Sequence, residues 1–163
     1  MKYFDELKRS MEFLAEDPNV LFIGQAVACA GTAMSNTLKD VADEKKLELP
    51  VCEEMQMGMT NGLALQGHLP VSIFPRWNFL VCATNQLVNH LDKFPLMSNG
   101  RYQPKAIIRT GVGSERPLHP QHQHIGDFSD AFRQMCSHLE IIQLKVPEDI
   151  FPAYEKAWDR KDG

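Results

Sequence analysis

Two adjacent carboxylates, Glu53 and Glu54, stand where the short run LELPV (47–51) gives way to a helical pattern over 54–66. Acids in a first helical turn complement the helix dipole, which accounts for many such pairs. The alternative is that one carboxylate enters a crevice beyond the strand end and meets a ligand nitrogen. The segment FPRWNF (74–79) adds Phe74, Trp77 and Phe79, any of which could stack on a flat ligand. At least two of these three rings are expected in the core. The loop LHPQHQH carries His119, His122 and His124. His-x-x-His-x-His is half of a metal signature, and no matching half follows elsewhere. A histidine at a crevice as proton donor or acceptor is the better reading, because an imidazole titrates near working pH.

The helix that follows the two acids also contains Gly58 and Gly62, four residues apart on one face. Each glycine costs a helix about 1 kcal/mol against alanine, so close approach of another backbone should offset it. That backbone could belong to a partner or to the domain's own sheet. Other chemistries lack their markers. There is no G-x-x-x-x-G-K-[ST] phosphate loop, no G-x-G-x-x-G after a strand and no G-x-S-x-G elbow.

The elements needed to position these residues can be read from the apolar pattern. Phe4, Leu7, Met11 and Leu14 recur at helical spacing and predict a helix over 3–16. VLFIG (20–24) is a continuous apolar run, consistent with a strand buried on both faces. Residues 33–44 are polar and helix-permissive. LELPV, VSIF (71–74), KAIIRT (105–110) and LEIIQLKV (139–146) read as further strands. Phe79, Ala83, Leu87 and Leu91 predict a helix from 79 to 91. Residues 111–124 read as loop, residues 127–137 as helix, and Ile150, Tyr154, Ala157 and Trp158 mark a final helix. Alternating strands and helices give βαβ units. The expected fold class is α/β, a doubly wound and mainly parallel sheet with helices on both faces, formed by a single domain over 1–163. Ligands of such sheets sit beyond the carboxyl ends of the strands, here Gly24–Gly31, Cys52–Glu54, Pro75–Phe79 and Gly111–His124.

Composition is that of an ordinary globular domain: 163 residues, 44% apolar and 23% charged, with a formal charge of -4. No cluster of Lys and Arg suggests a nucleic-acid face, and no apolar run is long enough to span a bilayer. The N-terminal stretch carries acids and has no signal-peptide core. Cys29, Cys52, Cys82 and Cys136 form no CxxC and are expected as reduced core thiols of a cytoplasmic protein.

Together these blocks resemble the pyrimidine-binding domain of thiamine-diphosphate enzymes. The nearest likenesses are the central domain of transketolase and the beta subunit of the 2-oxo acid dehydrogenase decarboxylating component. DPNVLFIGQAV is similar to the family's "D-P-x-V-x-x-x-G-E-D-V", and PVCE to "P-I-S-E", with Glu53 as its acid. GMTNGLALQGHLPV resembles the glycine-spaced helix and the "G-x-x-P-V" after it. FPRWNFLVCATNQLVN, MSNG, IIRTGVG and Gln121-His122 continue the likeness in order, over about residues 3–160.

The resemblance implies roles. Glu53 would hydrogen-bond the pyrimidine N1′ of thiamine diphosphate, with Phe79 stacked on the ring and Pro75 beside it. His122 would face the reacting centre. The glycine-bearing helix would lie at an interface between subunits or domains. The chain would then be the small subunit of a split enzyme that breaks or makes a carbon–carbon bond next to a carbonyl, as in 2-oxo acid decarboxylation or ketol transfer. The diphosphate and Mg2+ would be held by a partner chain, because the "G-D-G…N-N" motif is missing here. The assembly would be a homodimer or heterotetramer acting on a small carbonyl substrate. Two family acids are amides in this chain, Gln25 and Asn85. They motivate the alternative of a non-catalytic assembly or regulatory module that keeps the fold.

Overall fold

The computed structural model describes residues 2–113, 115 and 119–160. Part of the loop predicted over 111–124 therefore lies outside the described residues. Helix α1 (Tyr3–Ala15) leads into β1 (Val20–Gly24), the short α2 (Ala33–Asn36), β2 (Lys46–Glu48) and α3 (Glu53–Leu65). β3 (Leu69–Phe74) and the one-turn α4 (Trp77–Leu80) follow, then α5 (Phe94–Met97), β4 (Ile107–Thr110), α6 (Ser129–Met135) and α7 (Pro147–Asp159). Among the described residues the strands form one sheet in the order β2-β1-β3-β4, and every pairing is parallel.

Burial explains why the central strands form. Every residue of β3 is buried, and β1 has one partly exposed position. A strand covered on both faces needs apolar residues at successive positions rather than alternate ones. Pro70 sits in β3 before Val71, the first residue that β4 pairs, so its missing N–H falls at the start of that ladder. On one face Met11 and Leu14 of α1 join Phe22, Val71, Ile150 and Tyr154 in a buried cluster. On the other, Met57, Phe74, Trp77, Leu87 and Phe132 form a second cluster. The sheet is therefore covered on both faces, as the α/β pattern requires. Helices α1 and α7 are clamped by aromatic contacts, with Phe13 edge-on to Phe151 at 5.2 Å and to Trp158 at 5.5 Å.

Four expectations are corrected. The strand predicted over 139–146 joins no ladder. Leu139 and Ile141 pack on the cluster around Trp77 and Leu144 packs on the opposite one, so the segment alternates like a strand. It is held instead by side chains: Asp92 accepts from the backbone N–H groups of Ser137, His138 and Leu139 at 2.7–3.0 Å. The single helix predicted over 79–91 is broken into α4, a 3-10 turn at Val81–Ala83 and a π-helical stretch at Gln86–Leu91. The wider turn leaves both Leu91 and Asp92 buried, which a regular helix face with apolar residues four apart does not foresee.

Residues 33–44 are mostly not helical. Thr32 and Ser35 form a reciprocal cap on the four-residue α2, which then runs into turns. Finally, the cysteines are not core. Cys29, Cys52 and Cys82 are exposed and Cys136 is half-buried; all four thiols are free. They fall in a loop and at element ends, where apolar frequency is a poor guide.

Candidate functional site

In a parallel sheet all carboxyl ends lie on one rim. The register puts Gly24 opposite Glu48 and Ile73, and Phe74 opposite Thr110. The order β2-β1-β3-β4 reverses direction between β1 and β3, so the crevice between those strand ends is the topological switch point. Gln25 and Pro75 follow directly from the two strands that flank it.

Glu53 is the first residue of α3 and is half-buried. Gln25 Nε2 donates to Glu53 Oε1 at 3.2 Å, which ties the β1 end to the start of α3. No lysine or arginine pairs with Glu53, and its other oxygen has no hydrogen-bond partner among the described residues. The carboxylate thus keeps acceptor capacity at the rim. Glu54 beside it is exposed and its side chain makes no hydrogen bond among the described residues, as the dipole-complementing reading expects.

The position of Glu53 depends on Gln56, one turn further along α3. Gln56 is fully buried, and its Nε2 donates to Ser72 Oγ at 3.0 Å and to Ile73 O at 2.9 Å. That pins α3 to the end of β3. Gly24 makes the docking possible: its φ is +133°, and a Cβ there would lie 2.3 Å from Ile73 O and 2.5 Å from Gln56 Nε2. A side chain would be both strained and in collision.

The loop after β1 is pinned by a different acid. Glu48 at the end of β2 accepts four consecutive backbone N–H groups, those of Ala26, Val27, Ala28 and Cys29, at 2.7–3.1 Å. Ala26 takes a positive φ of 58° to turn them toward the carboxylate. Burial acts to raise the Glu48 pKa, but the four N–H groups outweigh it and hold it below the usual range.

Of the aromatic residues, Phe74 and Trp77 are core and Phe79 is half-buried in α4. The Phe79 ring meets the ring of His124 edge-on at 5.4 Å. Pro75 is half-buried, and its carbonyl lies 3.0 Å from where a Cβ on Gly111 would be, so the β3 and β4 ends run close together. Trp77 N donating to Gly111 O at 3.1 Å fastens the same approach. His122 is exposed, opens a 3-10 turn and contacts the ring of His119 at 6.1 Å. The fold thus brings Gln25 to Glu53 and His124 to Phe79, while His122 stands apart from Phe79 in ring contacts. Arg76 steadies the histidine turn by donating to His124 O at 3.0 Å.

Sequence reading missed Gln56, Glu48 and His124. The first two are polar residues whose partners lie on other strands. His124 was visible only as one of three histidines in a loop. Gly58 and Gly62 are exposed, and a Cβ on either would meet nothing within 4 Å. Close packing against the domain's own sheet is therefore not their role.

The strand order, the covered sheet and an unshielded carboxylate at the rim define a doubly wound α/β domain of the switch-point type. The model of the family "Transketolase, pyrimidine binding domain" matches residues 8–163. The chain belongs to that family. It is 29% identical over 149 residues to "Pyruvate dehydrogenase E1 component subunit beta" of Gracilaria tenuistipitata var. liui, covering 88% of this chain and 45% of that protein. It is 31% identical over 124 residues to "Pyruvate dehydrogenase E1 component subunit beta-3, chloroplastic" of Arabidopsis thaliana, covering 73% and 30%. A rice protein, "Pyruvate dehydrogenase E1 component subunit beta-4, chloroplastic", is 31% identical over 149 residues, covering 88% and 36%. The chain spans less than half the length of these relatives.

Proposed function

We propose that this chain binds the aminopyrimidine of thiamine diphosphate at the β1/β3 crevice, as one component of a 2-oxo acid dehydrogenase-like or transketolase-like enzyme. The observation that carries the reading is Glu53, a half-buried carboxylate at the switch-point rim with one oxygen held by an amide, no cationic partner and its second oxygen uncommitted. Those residues fit the group. A carboxylate with spare acceptor capacity suits a ring nitrogen that must gain a proton, and a half-buried phenyl ring suits a flat heterocycle.

In this reading Glu53 holds the proton at the pyrimidine nitrogen, and Gln25 orients the carboxylate without adding a charge that would compete for it. Phe79 offers its face to the ring and Pro75 closes the crevice from the β3 side. His122, on the loop after β4, serves as an acid, a base or a donor to developing charge. When bound, thiamine diphosphate would supply a nucleophilic thiazolium carbon for chemistry at a bond next to a carbonyl. Diphosphate and Mg2+ are assigned to a partner chain.

The test is isothermal titration of thiamine diphosphate with Mg2+ into this chain mixed with its diphosphate-binding partner, for the parent and for Glu53→Gln. The expected result is a loss of affinity of about tenfold or more in the variant, from losing a charge-assisted hydrogen bond. Equal affinity overturns the reading. The Gln25 amide, where the family has an acid, favours a second reading as a non-catalytic module. Bound cofactor with no turnover of any 2-oxo acid or ketose would select it.

A further inference from the structure

A roomy cavity on the β4 side of the sheet has none of Glu53, Phe79 or His122 in its lining. It has a volume of about 870 Å3 and lies between β4, the extended residues 139–144, α1 and α7. That is an ordinary size for a small-molecule site. Its wall is largely apolar, with Leu7, Ile107, Ile142 and Leu144 among the lining residues. Tyr3 closes one side by donating to Leu144 O at 3.1 Å.

Two polar groups in this wall are buried and under-used. Arg109 is 6% exposed and Tyr154 is 7% exposed. The Arg109 guanidinium makes one hydrogen bond, from Nη1 to Thr37 Oγ1 at 2.7 Å, and no carboxylate among the described residues pairs with it. The Tyr154 hydroxyl has no partner among those residues, and Thr110 Oγ1 is buried without one. Arg109 lies near enough to both phenols, Tyr3 and Tyr154, to act against the rise in pKa that burial gives them.

The lining also carries Arg76, Lys105, Lys156 and Arg160, against the single carboxylate Glu140. Lys156 and Arg160 already engage that carboxylate, at 2.9 and 3.5 Å. A chain of formal charge -4 has thus gathered cations around an apolar space. A buried guanidinium without an anion is costly, and a ligand that supplies the anion would offset that cost.

We propose that this cavity binds a small organic anion with an apolar body, its carboxylate held by Arg109 and the Tyr154 hydroxyl. The cavity meets the rim at Ala26, Pro75, Arg76, Gly111 and Val112, but neither Glu53 nor Phe79 lines it, and the anion is assigned to Arg109 and Tyr154 away from that carboxylate. Its failure would leave the cofactor reading untouched.

The probes are octanoate, octanol and pyruvate, titrated into the purified chain with calorimetry and thermal melting as readouts. Octanoate is expected to bind and to raise Tm, with octanol weaker by about tenfold or more because it lacks the charge. Pyruvate, which has no apolar body, should not displace octanoate. Arg109→Met should lose octanoate binding by about tenfold or more and keep octanol binding. If that variant does not fold, Tyr154→Phe removes only the hydroxyl and should narrow the octanoate-over-octanol preference. Equal affinity for octanoate and octanol in the parent, or an unchanged preference in Tyr154→Phe, overturns the proposal. So does slow hydrogen exchange of the Arg109 and Thr110 amides in the free chain together with no octanoate effect. That result would mean that residues 139–144 close on β4 and leave no cavity.

Discussion

Replacing both interior glycines of α3 by alanine should stabilise the isolated chain and weaken its assembly with a partner. Gly58 and Gly62 are exposed, their φ values are not positive, and a Cβ on either meets no atom within 4 Å. Nothing in the fold then opposes the gain in helix propensity, about 0.8–1.0 kcal/mol per site. The double variant should gain about 2 kcal/mol, or about 4–8 °C in Tm for a domain of this size. Thermal melts at low protein concentration read this directly. A fall in Tm would show that the glycines are packed against something inside the chain, and the argument from open space would be wrong.

The second half of the prediction uses larger side chains. Gly58→Leu with Gly62→Leu puts larger side chains at two exposed positions where a Cβ meets nothing, and the isolated chain should still fold. Any surface that approaches the α3 backbone would be blocked, so association with the proposed diphosphate-binding chain, followed by sedimentation, should fall steeply. Unchanged association would remove this face from the interface.

Asp92→Asn should cost about 2–4 kcal/mol, because a fully buried carboxylate that holds Ser137, His138, Leu139 and Lys93 loses its charge. Burial acts to raise the Asp92 pKa, but Lys93 and the backbone N–H groups outweigh it and hold it far below the usual carboxylate range. A depressed carboxylate stabilises the fold above its unfolded pKa, so this contribution is complete near neutrality and drains away as pH falls below 3.8. Acid titration of stability should be flatter in the variant, and an unchanged acid limb would refute the assignment. Gly24→Ala should lower stability by about 3 kcal/mol or more, since φ and contact both oppose a Cβ; a soluble variant with parental Tm would contradict the geometry. Glu48→Ala should free the loop after β1, seen as faster hydrogen exchange at Ala26–Cys29, with about 1–2 kcal/mol lost.

The parts of this fold that could be read from the sequence are those in which one residue type answers to one local environment. VLFIG and VSIF are apolar without a break because both faces are covered, and each sits within a central strand. The helical period of Phe4, Leu7, Met11 and Leu14 finds its helix within a residue of the predicted ends. Reading LEIIQLKV as a strand fails for a different reason. Its alternation is real, since Leu139 and Leu144 reach opposite clusters, but apolar spacing says nothing about whether a backbone finds a ladder. The same limit applies to Phe79–Leu91, where Ala83, Leu87 and Leu91 are buried as the spacing requires although the backbone changes pitch between them.

The candidate site divides along the same line. Glu53 and Pro75 could be placed because strand ends can be placed, and in a parallel sheet all of those ends share a rim. What holds the rim still could not be read. Glu48 of β2 fixes the loop after β1, Gln56 of α3 fixes the end of β3, and the Arg76 that precedes α4 fixes the turn carrying His124. Each is a polar side chain that reaches the backbone of a different element, over 19–22, 17 and 48 residues of sequence. Such residues have no period and no motif of their own, and in a string they look like solvated surface. They become visible only when the topology brings their partners to the same edge. The crevice beside Glu53 is therefore held in shape by residues that local pattern assigns to solvent. Substituting Glu48 or Gln56 should disturb Glu53 as surely as substituting its neighbour Gln25.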